Sequence, residues 1–261
     1  DYRDDLVTST PGSRFIPSDK VIPDETRCQM LGFSAADLAA GVQELTEEIV
    51  CRFVADRAAR LGHRNVALAG GLFANVQLNR RLRELPGIDR VFVQPNMGDA
   101  GLALGAVASA WFQRSGEAKV RWSSMYLGPE PGTTRVGASL VLETESTARW
   151  VAESVARGRV VGVAQGRAEF GPRALGHRSI LADPADATIN DQLNARLGRT
   201  EFMPFAPVLR AEDASRSLCG WSAEDPCGPF MTMAYECFPD FAKRHPAVVH
   251  VDGTARPQVV S

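Results

Sequence analysis

Three arginines, Arg167, Arg173 and Arg178, fall within twelve residues of the run Gln165-Gly166-Arg167-Ala168-Glu169-Phe170-Gly171-Pro172-Arg173-Ala174-Leu175-Gly176-His177-Arg178-Ser179. They do not share helical spacing, and the glycines and Pro172 interrupt any helix face. A guanidinium group matches the planar, bidentate geometry of phosphate and carboxylate. A glycine-rich backbone adds N–H donors in an anion-binding nest. The pattern points to a pocket for a small, highly charged anion, with Glu169 orienting one guanidinium or binding a cation. A loop of surface ion pairs is the plainer alternative, but it has no need of so many glycines. Arg199 and Arg256 are further candidate anion ligands. His250 is a candidate wall of the same pocket, and its pairing with Asp252 is the structural alternative.

A second group lies earlier. Gly70-Gly71 follow the short apolar run Val66-Ala67-Leu68-Ala69, and Asn75 comes four residues after Gly71. Two glycines at a strand end let a backbone approach a ligand closely, since no Cβ intervenes. The N-terminus of a following helix favours phosphate. Asn75 would hold a phosphate oxygen or a base. Asp99, flanked by Gly98 and Gly101, stands just past the next strand, where ligands gather in open α/β sheets. A carboxylate there would bind a divalent cation and, through it, nucleotide phosphates. The plain alternative makes Gly70-Gly71 a tight turn and Asp99 a helix N-cap. The four histidines lack the i, i+4 pairing of a metal site, so any further ligands lie outside this chain.

These residues must be positioned by regular elements. Ser34 is a helix N-cap with Asp37 three residues on. Leu38, Val42, Leu45, Ile49, Phe53 and Leu61 recur at roughly helical spacing as far as Gly62, a natural C-cap, and predict a long amphipathic helix. Strands follow at 66–69 and 91–94, with helices at 75–85 and 100–112; this alternation implies an α/β layer. Gly128, Pro129, Pro131 and Gly132 punctuate a polar stretch, which places a domain boundary near Met125, between 1–124 and 125–261. Beyond it the spacing predicts a helix at 146–156, a strand at 160–164, a helix at 187–197 and an extended segment at 205–209. The first residue is Asp and the last four read as mid-strand, so a fragment or processed chain is expected.

Of 261 residues, 44% are hydrophobic, enough for a sizeable core. The net charge of -2 argues against a general nucleic-acid binder. Five cysteines without a CxxC suggest neither a zinc knuckle nor a disulfide framework, and reduced thiols in a cytoplasmic protein are the expectation. No apolar run reaches membrane-spanning length.

Taken together, Gly70 to Asn75, Pro95 to Gly105, Gln165 to Pro184, Leu193 to Arg196, Pro204 to Pro207 and His250 to Arg256 resemble the NodU/CmcH carbamoyltransferases, which modify Nod factors, cephalosporins, aminoglycosides and other secondary metabolites, antibiotics included. The resemblance covers roughly residues 30 to 261. It implies the C-terminal half of an actin-like (ASKHA) ATP-binding domain followed by a partial YrdC-like α/β domain. It implies an O-carbamoyltransferase that uses ATP and carbamoyl phosphate, passes through carbamoyl-adenylate, and delivers the carbamoyl group to a hydroxyl of a small molecule. A divalent metal of the Fe or Mg type would be held in part by Asp99. Gly70, Gly71, Gly98 and Asn75 would line the nucleotide. Arg167, Arg173 and Arg178 would act at the reacting anion, with Glu169, Arg199, His250 and Arg256 around it. A homodimer is compatible with this reading, and nucleic acid and membrane are not expected partners. Many relatives carry a lysine near Gly198 and an arginine near Met203, and neither is present here. A catalytically impaired relative that binds nucleotide or acts as a partner subunit is therefore the alternative.

Overall fold

A computed structural model describes residues 32–117, 124–130, 144–199 and 203–260. The first element, α1 (Ala35–Leu61), opens on a reciprocal cap. Asp37 N–H donates to Ser34 Oγ at 3.1 Å, and Ser34 N–H donates to Asp37 Oδ2 at 3.3 Å. It closes at Gly62, which takes the left-handed conformation (φ 67°) and donates its N–H back to the last turn.

The face that α1 buries differs from the stripe expected from its apolar residues. Val42, Phe53 and Leu61 are exposed, while Glu47 and Cys51 are buried, with Val50 and Val54 packed beside them. The physical reason is a charged contact. Glu47 Oε2 accepts from Arg81 Nη1 at 2.6 Å, and Glu47 Oε1 accepts from Gln43 Nε2 at 2.5 Å. A buried carboxylate is tolerated when it is paired in this way.

Strand β1 (Asn65–Leu68) pairs in parallel with β2 (Arg90–Val93). Between them come a 3₁₀ turn (Gly71–Ala74) and α2 (Val76–Arg83). A second 3₁₀ turn (Asp99–Gly101) leads into α3 (Leu102–Ser115). After the described segment 124–130 come α4 (Thr144–Ala156), β3 (Val161–Ala164), β4 (Arg178–Leu181) and α5 (Ile189–Leu197). Strands β3 and β4 pair antiparallel around the arginine loop. The last part holds β5 (Val208–Arg210), α6 (Ala211–Ser217), β6 (Tyr235–Glu236), α7 (Pro239–Arg244), β7 (Thr254–Ala255) and β8 (Gln258–Val260). There β5 pairs in parallel with β8, and β6 pairs antiparallel with β7. The class is α/β, and the expected elements stand within three residues of their predicted ends.

One core joins distant parts of the chain. Leu68, Leu78, Leu82, Val91 and Val93 pack with Leu218, Met233, Tyr235, Phe241 and Val259. A polar staple crosses the same junction. Asp225 Oδ2 accepts from Tyr235 Oη at 2.6 Å and from Arg83 Nη1 at 3.2 Å, and the Arg83 guanidinium lies 4.5 Å from the Tyr235 ring centroid. Burial and the neighbouring Asp225 carboxylate push the Tyr235 hydroxyl well above the usual tyrosine range. Cys51, Cys219, Cys227 and Cys237 are free thiols. Among the described residues no helix is long and apolar enough to cross a membrane.

Candidate functional site

The arginine loop is held from within by Glu169. Its Oε1 accepts the backbone N–H groups of Leu175, His177 and Arg178 at 2.7, 2.8 and 3.1 Å. Burial alone would raise its pKa, but these N–H donors outweigh burial and hold the carboxyl below the usual glutamate range. Glu169 therefore grips backbone N–H groups, where orientation of a guanidinium or binding of a cation was expected.

Two of the three arginines are also turned to backbone. Arg178 Nη1 donates to the carbonyls of Gln165 and His177, both at 2.8 Å, and Nη2 donates to Gly166 at 3.1 Å and Pro129 at 3.2 Å. Arg167 Nε donates to Gly128 O at 3.0 Å, and Nη2 donates to Leu127 O at 2.8 Å. The reading of these two as direct anion ligands did not include these carbonyls. Arg173 is half-buried, with its Nε shielded from solvent.

The segment 124–130, taken from the sequence as a boundary, is the partner of this loop. Phe170 N–H donates to Met125 O at 2.7 Å, Ala168 N–H to Pro129 O at 3.0 Å, and Gly128 N–H to Ala168 O at 2.9 Å. The Tyr126 and His177 rings stack, with centroids 3.6 Å apart and planes 8° apart. Tyr126 Oη and the buried Gln258 Nε2 both donate to the Leu175 carbonyl at 3.0 Å. A Cβ at Gly128 would lie 2.9 Å from the Ala168 Cβ, so that position is closed to larger residues. Tyr126 and Gln258 escaped the sequence reading because they act on backbone atoms, which no side-chain motif displays.

The two groups read from sequence meet. Gly171 (φ 153°) packs on the Pro95–Asn96 backbone, where an added Cβ would stand 3.2 Å from the Pro95 carbonyl oxygen. The turn beyond Pro95 is bound by Gly70 N–H, which donates to Met97 O at 2.7 Å. Gly101 is tighter still, since a Cβ there would fall 2.0 Å from the Asn96 carbonyl oxygen. Gly70 and Gly71 are exposed, and the space above Gly71 and Gly98 is open.

Asn75 serves as the N-cap of α2. Its Oδ1 accepts from Leu78 N–H at 3.1 Å, and its amide pairs with Gln43, donating to Gln43 Oε1 at 2.8 Å. The cap satisfies one N–H, that of Leu78, at the helix start that was expected to face a phosphate. Asp99 is exposed at the first position of its 3₁₀ turn, with Gly98 before it in extended backbone. Among the described residues no three potential metal ligands gather, and Asp99 alone does not make a site for a divalent cation.

The remaining candidates have the following surroundings. The Arg199 guanidinium sits 5.0 Å from the Phe205 ring centroid. Gly198 before it is the left-handed C-cap of α5 (φ 62°). His250 Nδ1 and Asp252 Oδ1 both bond to Thr254 Oγ1, at 2.9 and 2.7 Å, in the turn between α7 and β7. They meet through the threonine, and burial lowers the His250 pKa. Arg256 follows β7 with its Nε shielded. Beside the arginine loop, an apolar cleft of about 830 Å³ runs between α4, the β3–β4 pair and α5, and Gln165 and Gly176 line it.

Residues 14–108 match the family model described as Carbamoyltransferase N-terminus, and residues 152–261 match Carbamoyltransferase C-terminus. The chain belongs to the carbamoyltransferase family. Among similar proteins, Nodulation protein NolNO of Sinorhizobium fredii is 39% identical over 240 residues, covering 86% of this chain and 35% of that protein. Nodulation protein NolO of Bradyrhizobium diazoefficiens is 37% identical over 240 residues, covering 86% of this chain and 43% of that protein. Nodulation protein U of Rhizobium tropici is 37% identical over 207 residues, covering 77% and 34%. The chain thus spans between a third and a half of the length of these curated relatives. Both carbamoyltransferase matches contain a glycine-bearing group described above: Gly70 to Gly101 in the first, Gln165 to Ser179 in the second.

Proposed function

We propose that the protein carrying this chain is an ATP-dependent O-carbamoyltransferase. Water would release orthophosphate from carbamoyl phosphate, and the carbamate oxygen would attack the α-phosphorus of ATP at the arginine loop, giving carbamoyl-adenylate with loss of pyrophosphate. A hydroxyl of a small-molecule acceptor, a sugar or secondary metabolite, would then take the carbamoyl group, with AMP leaving. A fixed guanidinium beside the phosphates offsets charge that develops as pyrophosphate departs. Arg173 is the residue assigned to that role; it stands half-buried in the loop, two residues after Gly171. The acceptor hydroxyl would approach from the side of Gly98 and Asp99.

The observation that carries this reading is the contact of Gly171 with the Pro95–Asn96 backbone, which sets the two family motifs against each other in one place. The test incubates the full-length protein with ATP and carbamoyl phosphate and measures pyrophosphate. Release that is lost in Arg173→Ala supports the enzyme. Nucleotide binding without release supports an impaired, nucleotide-binding relative. That second reading is favoured by one feature, Gly198, which ends α5 where many relatives place a lysine.

A further inference from the structure

We propose that Arg178 is a positioning residue, and that with Arg167 it clamps the strap 124–130 onto the arginine loop; the inference rests on the carbamoyltransferase reading for its effect on turnover. A guanidinium has five N–H donors. Four hydrogen bonds run from Arg178 to the carbonyls of Gln165, Gly166, His177 and Pro129. Both Nη groups of Arg178 are thereby committed, and the paired donors that would grip a phosphate in a fork are spent. Arg167 commits Nε and Nη2 to the adjoining carbonyls of Leu127 and Gly128. The strap answers with three backbone hydrogen bonds to the loop and with the Tyr126–His177 stack. The loop between Gln165 and Arg178 is thus fixed at both ends, by Arg178 across its base and by Glu169 through its backbone N–H groups. Arg173 lies between these ties in the chain, so they fix the backbone on either side of it. A lysine at 178 would keep the charge but would not span four carbonyls.

The test is hydrogen exchange by mass spectrometry on the full-length, ligand-free protein, with peptides covering 124–130, 165–178 and, as a control, 35–61. Arg178→Gln and Arg178→Lys are both expected to speed exchange in the first two peptides roughly tenfold or more and to leave the control unchanged. Gly128→Ala wedges the strap from the other side without altering any charge, and the same pattern is expected. Where pyrophosphate release is measurable, Gly128→Ala is expected to reproduce the fall in kcat of Arg178→Gln while KM for carbamoyl phosphate stays within about twofold. Exchange in both segments at the wild-type rate in Arg178→Gln overturns the proposal, as does a rise in KM alone. The exchange result stands whether or not the protein releases pyrophosphate, so failure of the clamp and failure of the proposed reaction are read separately.

Discussion

Replacing Glu169 removes the acceptor on which three backbone N–H groups converge. A hydrogen bond to a charged group contributes about 1.5–3 kcal/mol. The three share one oxygen and the loop is half-buried, so they do not add in full. We expect Glu169→Ala to cost about 2–4 kcal/mol of local stability, and Glu169→Gln about 1–2 kcal/mol, because an amide oxygen still accepts without the charge. The dependence on pH follows from the direction of the shift. The carboxyl is held below its ordinary value of 4.5 in the folded protein, so the contribution is complete above that value and is lost as pH falls through the lowered one. Hydrogen exchange of the 165–178 peptide, followed from pH 7 downward and corrected for intrinsic exchange, reads both effects. In wild type the extra protection fades on acidification, and in Glu169→Gln that component is absent. Equal protection of the loop in Glu169→Ala and wild type at pH 7 would refute the reasoning.

The remaining predictions concern the frame of the site. Asp225→Ala leaves the mostly buried Arg83 guanidinium and the Tyr235 hydroxyl without their shared acceptor, and is expected to cost about 3–5 kcal/mol in urea unfolding; Tyr235→Phe is expected to cost about 1 kcal/mol. Gly101→Ala drives a methyl into the Asn96 carbonyl and is expected to lower stability by about 3 kcal/mol or more, read as a fall in Tm. Asn75→Ala removes the α2 cap at about 1 kcal/mol, and Asn75→Ser recovers most of it. ATP affinity measured by calorimetry should track that recovery, whereas loss in both variants alike would make Asn75 a nucleotide ligand.

Much of the fold was legible because its signals are local. Ser34 with Asp37, Gly62, and the short apolar runs near 66 and 91 each mark an element through cap or strand chemistry. The buried side of α1 was not legible, because Glu47 reads as a solvent-facing residue until Arg81 is brought to it from α2. Asn75 was ambiguous for a different reason: an N-cap and a phosphate ligand call for the same side chain, and only the positions of Leu78 and Gln43 separate them. The arginine loop was recognised as unusual, but its arginines were assigned to an anion. The partners of Arg167 and Arg178 are carbonyl oxygens of residues 127–129, 165, 166 and 177, which look identical in every sequence. His250 was read as a wall of the anion pocket, with pairing to Asp252 as the alternative, and the two are joined through Thr254, an intermediary that spacing alone does not single out.

The shared core bears on how the proposed transfer would be organised. If the parts before and after Met125 moved as separate bodies, a carbamoyl group activated at the arginine loop would have to wait for a chance encounter with the turn at Gly98–Asp99. Here the strands β1 and β2 and helix α2 are packed against Leu218, Tyr235 and Val259, and Gln258, next to Val259, donates to the Leu175 carbonyl within the loop. The chain of contact from β2 through Val259 and Gln258 to Leu175 is continuous and mostly buried. The closeness of Gly171 to Pro95 is then a property of the packed core, and bringing the two motifs together costs no further ordering when ligands arrive. On this argument the ties around Leu175 matter to the proposed chemistry as much as the arginines do. They hold the backbone next to Arg173 in place relative to a turn some seventy-five residues earlier in the chain.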